Sequence, residues 1–219
     1  MTIVELMKVT GARVHLCRLS SAAAVELVRQ AKAAGLPLSC DISINSLHLA
    51  EADIGYFDSR ARLCPPLRQP SDRAALRAGL ADGTIDALVS DHTPMEADAK
   101  VLPFAEAAPG ATGVELLLAL ALKWAAEDGL SPLQALATVT HRSAKVLGQS
   151  LGTLSASAGQ LVVGGMADIC IWDPEQLWQV TPQALRSQGK FTPFQGFELQ
   201  GRVRATVVDG QIAFEAERS

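Results

Sequence analysis

The sequence contains no CxxC pair. Its four cysteines, Cys17, Cys40, Cys64 and Cys170, stand at wide spacings. In a chain of 219 residues that is 48% apolar, this argues against a disulfide framework and for a reduced, cytosolic setting. Each cysteine reads as a small, buried apolar residue. Excess positive charge is also missing. Charged residues make up 19% of the chain and the formal net charge is −4, so neither nucleic acid nor an anionic membrane surface is an expected partner. Long apolar runs are absent: the longest, residues 114–122, is interrupted by Glu115 and falls far short of the roughly 20 residues a membrane span requires. The opening stretch MTIVELMKVTGARV carries no charged leader followed by an apolar core and a cleavage site, so no secretion signal is expected. Internal repeats and low-complexity tracts are lacking too.

The residues that are present suit one large domain or two small ones. Short β-rich runs alternate with helical patterns, which predicts βα units and a parallel sheet. ARVHLCRL (residues 12–19) reads as a strand, and Ser20 or Ser21 can cap a helix to about Ala34, with Gly35 as its stop. LPLSCDIS (residues 36–43) is a second strand. Residues 44–68 look loop-like, with a short strand possible at residues 61–64 before Pro65 and Pro66. Ser71 caps a helix through Ala81, ended by Gly83, and IDALVS (residues 85–90) is a near-continuous apolar strand covered on both faces. A long polar loop, residues 91–113, carries DHTP and APGATG. Helices follow at residues 114–128 and from Ser131–Pro132 to about Leu147, with Gly148 as the stop. From Gly159 the pattern turns to β: strands at residues 167–172 and 203–208, and a hairpin, VVDGQIAF, turning on Asp209 and Gly210.

Seven stretches in order carry a resemblance. They are TGARVHLCRLSS, CDISINSLHL, CPPLR, GTIDALVSDHTP, KVLPFAEAAPGATGVE, GGMADICIWDP and SQGKFTPFQGFELQGRVRATVVDG. Together they resemble the C-terminal half of a dihydroorotase of the amidohydrolase superfamily, and within it the non-catalytic pseudo-dihydroorotase branch associated with aspartate transcarbamoylase. The resemblance implies an α/β fold: residues 1–150 as strands five to eight of a (β/α)8 TIM-like barrel with their helices, and residues 151–219 as the C-terminal part of a small β-sandwich subdomain. Four βα units are half of such a barrel and cannot close it alone. Because the first strand begins almost at Met1, the expectation is a truncated piece of a longer chain; the alternative is dimerisation through the open edges.

Such enzymes open dihydroorotate with hydroxide generated on bound metal, which lowers the pKa of its water and polarises the carbonyl. The resemblance implies ligands from an HxH pair, an acidic or modified-lysine bridge, a His on each of two strands, and a proton-shuttling Asp. The Asp corresponds to Asp91. One imidazole position is held by Arg18, whose guanidinium has no lone pair for a metal, and the other by Asn45, a poor zinc donor. Asp91 is then the sole retained metal ligand that can be checked, and a vestigial catalytic group. No cofactor is expected on this reading; an active protein would use zinc. The resemblance offers Arg68, His92, Pro109 and Gly110 as substrate contacts, whereas Cys64 and Met95 depart from the usual Asn and His.

Each candidate also has a plainer reading. Asp91 can be an inherited, satisfied carboxylate, and His92 a hydrogen-bonded loop residue. His15 and His48 are candidate replacement ligands, although strand alternation places His15 on the face opposite Arg18, away from the barrel mouth. His141 reads as a surface or packing residue. Arg18 can pair with Asp91, filling a vacated metal site with a salt bridge. The leading expectation is therefore an inactive dihydroorotase-like protein of pyrimidine biosynthesis, assembled into an oligomer with aspartate transcarbamoylase. The others are an active metal-dependent dihydroorotase or cyclic amidohydrolase using upstream ligands together with Asp91, and a binding module that keeps the APGATG loop without turnover.

Overall fold

The computed structural model describes residues 2–216. The chain forms two compact units, one of residues 2–117 with 185–193 and the other of residues 118–184 with 194–216. The boundary expected at residue 150 falls inside the second.

The first unit opens with a helix that the sequence reading omits, α1 (Thr2–Thr10), which buries Met7. Strand β1 (Val14–Leu16) follows, much shorter than residues 12–19. Helix α2 (Ala22–Ala33) begins where expected: Ser21 Oγ accepts the Ala24 amide at 3.3 Å, satisfying one of the orphan donors of the first turn. Strand β2 (Leu38–Ser43) pairs parallel with β1, with Val14 opposite Leu38 and Leu16 opposite Cys40.

Residues 44–68 are not the plain loop expected. Helix α3 (Ile44–His48) starts directly from β2, capped by Ser43, and 3-10 turns follow at Glu51–Ile54 and Ser59–Ala61. No strand forms at residues 61–64, because Ala61 ends a 3-10 turn and Pro65 and Pro66 offer no amide to a ladder. The parallel sheet therefore has three strands among the described residues, ordered β1-β2-β3. Helix α4 (Pro70–Ala81) has Gln69 as its N-cap, two residues before the predicted Ser71 cap. The Asp72 carboxylate accepts from the Gln69 amide at 3.3 Å and from the Ala22 amide at 2.8 Å, tying the starts of α4 and α2 together. Strand β3 (Ala87–Val89) joins β2, with Asp41 opposite Ala87.

Alternation along β2 sorts its residues to two faces. Leu38, Cys40 and Ile42 are buried, while Ser39, Asp41 and Ser43 make the polar face. Helices α2 and α4 pack on each other, and α2 packs on β2. Val25 and Val28 of α2, Leu76 and Leu80 of α4, and Ile42 and Leu88 of the sheet are almost wholly removed from water. Each such side chain contributes roughly 1.5–3 kcal/mol. Gly79 permits the close approach: a Cβ there would stand 2.9 Å from Val25 Cγ1 and 3.1 Å from Ile85 Cδ1.

The loop after β3 contains a short helix, α5 (Ala97–Lys100). A 3-10 turn at Val114–Leu116 then leads into α6 (Leu117–Glu127). In the second unit the predicted helix from Ser131 is two, α7 (Pro132–Val139) and α8 (His141–Leu147), broken at Thr140. The run Thr138-Val139-Thr140 is β-branched, and the Thr140 hydroxyl donates back to Leu136 O at 2.7 Å, competing with the helical ladder. The second sheet is antiparallel: β4 (Ile169–Gln179), β5 (Glu198–Val208) and β6 (Gln211–Glu215) in that order. Its expected hairpin is present, with Asp209 and Gly210 both at positive φ, 49° and 76°, as a tight two-residue turn requires. No described helix is long and apolar enough to cross a membrane.

Candidate functional site

The candidate residues gather where β1, β2 and β3 end in the first unit. Leaving β1, the chain turns sharply at Arg18, whose φ of 56° is left-handed. The Arg18 amide donates to Asp41 Oδ1 at 2.7 Å and the Leu19 amide to Asp41 O at 2.9 Å. The turn is thus held by Asp41 of β2 through both its side chain and its main chain.

The Arg18 side chain reaches across to the end of β3. Nη1 donates to Asp91 Oδ1 at 3.0 Å and to the Cys64 carbonyl at 3.0 Å. The anticipated pairing of Arg18 with Asp91 is therefore made. Asp91 is the more enclosed partner, its side chain 9% exposed against 42% for Arg18. The hydrogen bond and the charge of Asp91 raise the guanidinium's pKa further above its usual value. Asp91 also has left-handed backbone, φ 49°, so both partners hold conformations unusual for residues with a Cβ. Asn45 lies in α3 and is buried; its carbonyl accepts the Leu49 amide at 2.8 Å.

His15 and Arg18 send their side chains to different partners and share only Asp41, which receives the Arg18 amide. Strand β1 ends at Leu16, so the alternating pattern stops before residue 18. His15 Nδ1 lies 2.8 Å from Ser39 Oγ, and Nε2 lies 2.8 Å from Asp41 Oδ2, the carboxylate that also receives the Arg18 amide. Cys17 is on the same face of the chain, and the donor atoms of His15, Cys17 and Asp41 all lie within 4.8 Å of one another. Sequence reasoning missed Asp41 and Cys17, because the register that brings residues 15–17 beside 39–41 has no local sequence signal.

The loop after β3 is tied down by its own amides. His92 Nδ1 accepts from the Gly113 amide at 3.1 Å and from the Val114 amide at 3.3 Å. Both contacts use Nδ1 as the ring's accepting nitrogen. The Gly110 amide donates to Arg62 O at 2.9 Å, that of Thr112 to Phe191 O at 2.8 Å, and that of Ala108 to Ala99 O at 2.9 Å. Much of the APGATG backbone is therefore already engaged within the fold. Gly110 and Gly113 allow the close packing, since a Cβ on either would run into the backbone, at Thr93 O and Ser90 O respectively. Pro109 and Arg68 are exposed, the latter's carbonyl accepting the Glu51 amide at 2.8 Å. His48 is buried at the end of α3 and does not join the three-donor cluster, and His141 begins α8 in the second unit.

Two further features were not anticipated. Lys100 is almost fully buried, and its Nζ donates to the carbonyls of Ser59 at 3.0 Å and Arg62 at 3.2 Å. Burial, aided by the nearby charge of Arg62, pulls its pKa down to about 8. Glu115 accepts from the amides of Arg186 at 2.6 Å and Ser187 at 2.8 Å and from the Ser187 hydroxyl at 2.8 Å. Burial pushes its carboxyl up, but these donors together hold it below the ordinary value. Of the cysteines, only Cys40 is buried, with its thiol pushed up to about 11 by burial; Cys17, Cys64 and Cys170 are exposed, contrary to the sequence reading.

Comparison with known proteins places these features in context. The model of the "Amidohydrolase family" matches residues 5–214. The chain is 41% identical over 211 residues to a "Dihydroorotase-like protein" of Pseudomonas aeruginosa, covering 96% of this chain and 48% of that protein. It is 37% identical over 213 residues to a "Dihydroorotase" of a Geobacter species, covering 97% of this chain and 48% of that protein. Among solved structures, an L-hydantoinase (dihydropyrimidinase) from Arthrobacter aurescens superposes with a TM-score of 0.87 at 27% identity, over 97% of this chain and 47% of that one. The chain spans about half the length of the curated relatives it matches.

Proposed function

The chain belongs to the amidohydrolase family, and from that premise we propose that it serves pyrimidine biosynthesis as a dihydroorotase-like protein without metal-dependent turnover, acting as a structural partner of aspartate transcarbamoylase. One observation carries the reading: the guanidinium of Arg18 is bonded to Asp91, the carboxylate that the resemblance assigns to metal and proton transfer. A guanidinium, which has no lone pair to give a metal, is bonded to one of that carboxylate's two oxygens. With Asn45 at the second imidazole position, the residues present do not fit the family's metal centre, and no catalytic step is derived through one.

The non-catalytic role predicts a stable complex. Co-purification of the full-length protein with aspartate transcarbamoylase at micromolar concentration is the expected result; two separate species at that concentration would remove the scaffold role. Retention of Asp91 favours one other reading, an active cyclic amidohydrolase that holds zinc through Asp91 and ligands beyond this chain. Stoichiometric zinc lost specifically on Asp91→Asn would favour that alternative.

A further inference from the structure

Three side chains of different chemistry converge beside the β1–α2 turn, with a ligand set separate from the Arg18–Asp91 pair. His15 and Cys17 are two apart on one extended segment, and β2 supplies Asp41 from the neighbouring strand. Their donor atoms lie within 4.8 Å of one another.

What surrounds the three residues gives the cluster direction. Ser39 Oγ sits on His15 Nδ1, and the Arg18 amide occupies Asp41 Oδ1. Between those outer contacts, His15 Nε2 and Asp41 Oδ2 are hydrogen-bonded at 2.8 Å, and a cation bound there takes the place of that hydrogen bond's proton. With the ring proton on Nδ1, donated to Ser39 Oγ, the Nε2 lone pair and the Asp41 carboxylate can both bind a cation in place of the proton they share. Hydrogen bonds to the far atoms of an imidazole and a carboxylate are how proteins orient metal ligands. Cys17 is exposed, so its thiol can rotate in without disturbing the core, and it gives the site an opening to solvent.

We propose that His15 Nε2, Cys17 Sγ and Asp41 Oδ2 form a mononuclear site for a zinc-class divalent cation. One nitrogen, one sulfur and one oxygen donor suit a tetrahedral ion with water in the fourth position, and binding it widens the 2.8 Å His15–Asp41 hydrogen-bond spacing to the roughly 3–4 Å between such ligands. The thiolate selects zinc, cobalt or cadmium over magnesium and calcium. Coordination deprotonates Cys17 and releases that proton to solvent, while the S–M, N–M and O–M bonds form without redox change. This inference does not rest on the proposed function: it holds whether or not the protein turns over a substrate.

The test is titration of the metal-stripped, purified full chain with cobalt(II) alone. The expected result is saturation at one equivalent, with a thiolate-to-cobalt charge-transfer band and the visible bands of a four-coordinate ion. Cys17→Ser, at an exposed position, removes the charge-transfer band, and Cys64→Ser leaves it intact. Ser39→Ala keeps the band but weakens affinity about 10–100-fold, through loss of the ring's orienting partner. A titration without the band, or a band that survives Cys17→Ser, overturns the proposal and leaves the cluster as a hydrogen-bonded brace of the Arg18 turn.

Discussion

Arg18 and Asp91 stand 73 positions apart in the chain, yet each holds left-handed backbone and they meet through a 3.0 Å hydrogen bond. Left-handed backbone costs a residue with a Cβ roughly 1–2 kcal/mol. Two such residues facing one another persist because neighbouring contacts hold them, here Asp41 beneath Arg18 and the Cys64 carbonyl beside its guanidinium.

Arg18→Ala is expected to destabilise the protein by about 1–3 kcal/mol, because it strands an enclosed carboxylate without its partner. The coupling between the two residues is smaller, roughly 1 kcal/mol, since Arg18 is partly solvated. A double-mutant cycle with Asp91→Asn, read by urea unfolding, checks it. Arg18→Gly should be less damaging than Arg18→Ala by about 1 kcal/mol, because glycine adopts the positive φ freely.

Gly113→Ala is expected to cost about 1–3 kcal/mol, because its Cβ meets the Ser90 carbonyl, a backbone atom that cannot rotate away, and Ile44 Cδ1 at 3.2 Å. Gly129→Ala is the comparison. That position has φ +68° but open space, so only the left-handed penalty of roughly 1–2 kcal/mol applies. Thermal unfolding of the two variants side by side measures the difference.

Glu115→Gln should destabilise by about 1–3 kcal/mol, since a carboxylate serving three donors becomes a neutral amide. The Glu115 carboxyl is held below its ordinary value of 4.5, so its contribution is fully present above that value and is lost as pH falls through the depressed one. Wild type and variant should converge in stability on acidification.

Lys100 has the opposite signature. Its folded pKa is about 8 against an ordinary 10.5, so between those values the unfolded chain carries a proton that the folded one does not. Stability therefore rises with pH across that window, and the cost of burying the charge is felt in full below it. Lys100→Met should flatten this segment of the stability–pH curve. An identical slope in wild type and variant would assign it to another group.

Much of the fold was legible from local chemistry. Ser21 and Gly35 bound α2, and Asp209-Gly210 announces the β5–β6 hairpin, because capping and tight turns depend on residues adjacent in sequence. The Arg18–Asp91 pairing was legible through the family resemblance. The His15–Cys17–Asp41 cluster was not, since it depends on the register of β1 against β2 and on the strand ending at Leu16 before the Arg18 turn. The absence of a strand at residues 61–64 follows from Pro65 and Pro66, a signal present in the sequence but outweighed by the expectation of a fourth strand. The break at Thr140 likewise had its cause in view, in three consecutive β-branched residues.

The most direct measurement is ring opening of dihydroorotate by the full-length protein with zinc supplied in excess. With a guanidinium holding Asp91, the rate should match zinc alone and be unchanged by Asp91→Asn. Zinc-dependent turnover that disappears in Asp91→Asn would contradict the account.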